Sequence, residues 1–203
     1  MLKSQSRLLP LALLGLYALT TLSGCASNQA APAAKAEAKP AAAAPAPAAQ
    51  KVDHYFVIHH ENGRFYQIAD VANYLEFLHT NELIYTRTRV GAGPDGATLV
   101  FGIEKKEADN LAQPSRAELF YDGKYEPTGP FYGEVFKDGR FYVFGDWKDF
   151  KDYKEHGEMA YTFTEVGVGP NGETVVYGLN KDTIKAGRPV ALVEKFNALR
   201  KKN

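Results

Sequence analysis

Residues 61–103 align with residues 137–179 at a constant offset of 76, without a gap and with 17 identities in 43 positions. The match includes Gly-Arg-Phe-Tyr at 63–66 and again at 139–142. A chain that repeats itself at this length must build one supersecondary unit twice and bury the two apolar faces against each other or within one sheet. This duplication constrains the fold more than any other feature.

Each copy carries the same local signals. A first strand (54–60; 131–137) meets a second (64–68; 140–144) across Asn62-Gly63 or Asp138-Gly139, dipeptides that accept the positive φ of a tight hairpin. Asp70 and Asp146 stand at the N-cap of a following helix. In the first copy Val71, Tyr74, Leu75 and Leu78 fall on one helical face, whereas Lys151 and Lys154 narrow that stripe in the second. Asn81 and Gly157 end the two helices, being the residue types that best tolerate a left-handed C-terminal position. Two more strands follow (84–90 with 98–103; 160–166 with 174–179), and Pro114 or Pro189 introduces a closing helix at 115–121 or 190–201. The expected fold is α+β, a tandem duplication of a β-β-α-β-β-α unit over residues 53–128 and 129–203. An antiparallel sheet with helices packed on one face is the arrangement these hairpin signals predict.

Gly91, Gly93 and Gly96 form G-x-G-x-x-G, and Gly167, Gly169 and Gly172 repeat it. A pyrophosphate loop of that spacing opens a helix, whose free N–H groups hold the anion. Here Ala-Thr-Leu-Val-Phe or Glu-Thr-Val-Val-Tyr follows, which reads as a strand. Pro94 or Pro170 also removes one N–H that a phosphate would need. The glycines therefore turn hairpins, and no nucleotide is expected.

The N-terminus holds two cations, Lys3 and Arg7, and then an apolar run from Leu8 to Leu22. That run is shorter than the ~20 residues a spanning helix needs, and it fits a secretory leader. It ends in Leu22-Ser23-Gly24-Cys25, where the sequence resembles the bacterial lipoprotein signal. The resemblance covers residues 1–25 and implies cleavage after residue 24. It further implies a diacylglyceryl group on Cys25 and an added acyl chain such as palmitate on the new amino terminus. The absence of Asp at positions 26 and 27 implies, by the family's sorting rule, the outer membrane facing the periplasm. Cys25 is the only cysteine, so no internal disulfide competes for it. Residues 25–52 are rich in Ala and Pro, with Pro32, Pro40, Pro45 and Pro47 interrupting any helix, and read as a tether.

From 51 to 203 there are 20 Lys and Arg against 23 Asp and Glu, a net charge of 20 − 23 = −3. With no basic block beyond Arg200-Lys201-Lys202, nucleic acid is not an expected partner. The only serine of this part is Ser115, beside a proline, which leaves no nucleophile–base arrangement in view. His54, His59, His60, His79 and His156 have no metal spacing, so no metal or other cofactor is expected. Tyr121, Tyr125, Phe131 and Tyr132 crowd the segment joining the copies. They either line a groove or cover the seam between repeats, and the alignment of Phe131 and Tyr132 with Tyr55 and Phe56 favours the seam. Arg87 and Arg89 give way to Phe163 and Glu165 in the second copy, which marks a partner contact or packing against the linker. The function expected is a non-catalytic envelope module that docks on another envelope protein. The alternative is a binder of peptide or glycan in a cleft between the repeats.

Overall fold

The computed structural model describes residues 51–201. Residues 51–201 belong to one compact unit, and the signal segment, Cys25 and residues 26–50 lie outside the described residues. No helix among the described residues is long and apolar enough to cross a membrane.

The chain runs β1 (Asp53–His59), β2 (Arg64–Ile68), α1 (Val71–Thr80), β3 (Thr86–Arg89), β4 (Thr98–Gly102), α2 (Lys105–Ala108) and α3 (Arg116–Tyr121). It continues as β5 (Phe131–Lys137), β6 (Arg140–Phe144), α4 (Trp147–His156), β7 (Tyr161–Glu165), β8 (Thr174–Leu179) and α5 (Val190–Arg200). The helix signals hold in detail. Asp70 accepts from the Asn73 N–H, Asp146 accepts from the Asp149 N–H, and Asn81 and Gly157 close their helices at φ 60° and 73°.

All eight strands belong to one sheet, ordered β3-β4-β2-β1-β5-β6-β8-β7. The sheet is mixed rather than antiparallel: β1 runs parallel to β5, β2 to β4, and β6 to β8. Hairpin signals report only the pairing across a short turn. The connection from β2 through α1 and β3 brings β4 back in the same direction, a non-local pairing that no turn encodes. Helices cover both faces rather than one. Residues of α1 and α5 share a core cluster with Phe56, Ile58, Phe141 and Tyr177. On the opposite face, α3 and α4 close over Tyr55, Val57, Val135 and Phe144. The apolar run Tyr55-Phe56-Val57-Ile58 carries this information, because a strand covered on both faces loses its polar alternation.

The first hairpin also departs from expectation. Asp138 and Gly139 both take positive φ and make the two-residue turn, but in the first hairpin His60 donates to the Arg64 carbonyl and three residues form the loop. One extra residue shifts the register. Phe56 pairs with Ile68, whereas Gly133 pairs with Phe144, so Tyr132 stands in β5 where Tyr55 stands in β1.

The glycine loops lead into β4 and β8. Gly93 donates to the Ala97 carbonyl and Gly169 to that of Glu173. Asp95 and Gly96 turn the first corner at φ 54° and 76°.

Candidate functional site

A concavity with a volume of about 1060 Å³ lies on the α1/α5 face. One wall is α1 along its whole length, and the other is the last turn of α5, Ala198–Lys201. Ile58, Phe136 and Phe141 from the central strands make the floor. Val71, Leu75, Leu78 and Leu199 are only partly buried against the core, so their remaining apolar surface faces the groove. Polar groups gather at the end where β1 turns into β2: His59, His60, Glu61, His79 and Asn171.

Under the groove sits a buried charge. Glu134 is fully inaccessible, and Arg200 grips it with both terminal nitrogens, at 2.9 and 2.6 Å. The hydroxyls of Tyr74 and Tyr132 donate to the same carboxylate. The network fastens α1 and α5 to the middle of the sheet. Burial opposes the Arg200 charge, but the Glu134 carboxylate outweighs it and keeps the guanidinium protonated. Burial, reinforced by Glu134, pushes both tyrosine hydroxyls well above their ordinary range. The guanidinium also lies 3.6 Å from the Phe196 ring centroid. A glutamate inside the otherwise apolar string Phe131–Phe136 is the sequence signal for such a partner, and reasoning from motifs missed it.

The residues nominated from the sequence lie outside the groove. Arg87 donates to Glu118 and to the carbonyls of Gln113, Glu107 and Asn110. Arg89 reaches Asp122 and Glu118 and lies over the Phe101 ring. Together they clamp the segment carrying α2 and α3 against β3 and β4. Phe131 and Tyr132 are buried on opposite faces of the sheet. Tyr125 donates to Asp53, and Tyr121 to the Ala92 carbonyl. None of the four aromatics lines the groove.

His59 packs against Phe65 at a tilt, and burial, aided by Lys137, pulls its pKa down to about 4, so it is neutral near pH 7. His60 meets the rings of Tyr66 and Phe77 edge-on. Ser115 is inaccessible and serves as the N-cap of α3, its hydroxyl donating to Glu118. Its side chain is therefore occupied on the face opposite the groove. Among the described residues no group of three or more His, Cys, Asp or Glu side chains is placed to hold a metal. No family model matches this chain, and no curated protein or solved structure matches it either.

Proposed function

We propose that this chain is a membrane-anchored envelope lipoprotein whose folded part, a tandem duplication, is a non-catalytic binding module. Its ligand occupies the groove between α1 and the end of α5. The observation that carries this reading is the groove itself: a concavity of ligand-binding size with an apolar middle and polar groups toward its ends. It joins a helix of the first half to a helix of the second, the cleft between repeats expected of a small-ligand binder. A docking face for a large protein partner has weaker support. Exposed aromatics among the described residues are Tyr85 and Tyr161, beside opposite edges of the sheet, and make no broad patch. The duplication is supported by the strand order, which reads 3-4-2-1 from one edge and 7-8-6-5 from the other. The anchor is supported by Leu22-Ser23-Gly24-Cys25, with residues 26–52 as the spacer and the outer membrane, facing the periplasm, as the location.

A thermal-shift screen of residues 47–203 against muropeptides, sugars, peptides and uncharged amphiphiles tests the groove. At least one compound is expected to raise the melting temperature of the native sequence and not that of Ala72→Trp. Ala72 is exposed and lines the groove, so the indole blocks the site without entering the core. A set of hits that Ala72→Trp leaves unchanged would remove the groove from the argument. For the anchor, Cys25→Ala is expected to move the protein from the membrane to the soluble fraction of cells.

A further inference from the structure

The chemistry of the groove is more specific than its size, and the ligand class assigned from it rests on the groove being the binding site. An extended peptide presents one N–H and one C=O per residue, each costly to bury unpaired. Along their middle the walls are helical, with backbone groups bonded within the helix, and free backbone groups occur only at the first turn of α1, the last turn of α5 and the 170–173 loop. At the end of α5 the Phe196 carbonyl accepts from Arg200 and that of Asn197 from the Lys201 N–H. Between the polar end and Asp70 the walls present Val71, Leu75, Leu78 and Leu199. A peptide or a sugar would lose its water there without replacement, whereas an aliphatic chain asks for no hydrogen bonds. The concavity follows α1 for about 15 Å, at ~1.5 Å per residue, a shape suited to an elongated chain.

Charge selects the head group. Three carboxylates line the groove, Glu61, Asp70 and Glu173, against Arg200 and Lys201. Arg200 is already matched by Glu134, so the lining carries surplus negative charge, and a free carboxylate or phosphate head meets repulsion.

We propose that the groove binds a single long acyl chain joined to an uncharged head, as in a monoacylglycerol or an acylated amide. Each methylene buried in the groove adds to affinity, which makes the chain the source of affinity and the head the source of selectivity. A free fatty acid shares the tail chemistry and is the arm that separates the two sources.

The test is displacement of a fluorescent polyene acyl ester from residues 47–203, the compact unit that contains all three core clusters. Monopalmitoylglycerol is expected to displace the probe, palmitate at least tenfold less well, and glycerol not at all. Ala72→Trp and Ala198→Trp, both at exposed positions lining the groove, are expected to weaken the probe at least tenfold while melting as the native sequence does. Palmitate binding as tightly as its glyceryl ester overturns the head-group assignment. Failure of every acyl compound, alongside a sugar or peptide that still loses its effect in Ala72→Trp, overturns the acyl assignment and leaves the groove standing. Acyl binding undiminished in both tryptophan variants places the site elsewhere and overturns the acyl assignment and the groove reading together.

Discussion

The most consequential residue pair is Glu134 and Arg200. Burying an ion pair is worth little compared with apolar residues of the same volume, but breaking one leaves an uncompensated charge in the core. Arg200→Met is therefore expected to cost about 3–5 kcal/mol, read from urea unfolding, and Glu134→Leu with Tyr74→Phe and Tyr132→Phe in the same background to recover most of it, because Glu134→Leu alone would orphan the two tyrosine hydroxyls. If the fully apolar variant is no more stable than Arg200→Met alone, the loss comes from contacts of Arg200 with Phe196 and Phe141 rather than from the orphaned carboxylate. Lys154 presents the opposite case. Its ammonium lies 5.1 Å from the ring centroids of both Tyr55 and Tyr121, and burial pulls its pKa down to about 8. A base depressed in the folded state binds fewer protons there than when unfolded, so stability rises as pH climbs from about 8 to the ordinary lysine value of ~10.4. Lys154→Met is expected to abolish that rise and to stabilise the protein near pH 7, by on the order of 1–2 kcal/mol once residual solvation is allowed for. Melting curves between pH 7 and pH 10 decide it, and an unchanged slope in the variant would show that Lys154 is not the group responsible.

At the scale of elements, α3 shows how a short helix is held. Six residues are too few to persist alone, so its place is set by a capping box between Ser115 and Glu118 and by the two arginines of β3. Burial alone would raise Glu118, but the Ser115 N–H and hydroxyl together with Arg89 and Arg87 outweigh it and hold the carboxyl below its ordinary range. A depressed acid contributes stability above its unfolded pKa of ~4.3, and that stability is lost as pH falls through the lower folded value. Glu118→Gln is expected to cost on the order of 2 kcal/mol at neutral pH, since hydrogen bonds to charged groups are the stronger kind. It should also flatten the fall in melting temperature between pH 5 and pH 3. Equal acid sensitivity in the variant and the native sequence would assign that fall to other carboxylates. Elements of this kind were legible in the sequence. Asp70, Asp146, Asn81 and Gly157 act as caps where their side chains and backbone preferences say they should, because capping is decided within one turn of chain. The arginines of β3 were legible as an asymmetry, but their partners lie 20–33 residues away, and spacing does not encode such distances.

At the scale of the whole molecule, what escaped the sequence is what depends on long-range pairing. The groove consists of Leu75 and Leu78, which read as core positions by helical period, and Leu199 from the far end of the chain. Only the distance between α1 and α5 leaves them half covered, and no local pattern specifies that distance. The same long-range pairing makes the halves depend on each other. β1 and β5 form the only strand pairing between residues 53–128 and 129–203, yet the cores do not divide there. Tyr74 of the first half bonds Glu134 of the second, and the Tyr55 ring packs against Phe150 and Trp147. Cutting the chain between Gly129 and Pro130 would turn β1 into an edge and strip α4 from Tyr55 and Val57, opening apolar surface on both faces. Neither 51–129 nor 130–203 is then expected to melt cooperatively by itself, while an equimolar mixture should recover a single transition and the near-ultraviolet dichroism of its buried tyrosines. Cooperative melting of the separate pieces would mean that each half closes its own core. Each half would in that case be an independent domain, and the groove between α1 and α5 an interface between two such domains rather than part of one.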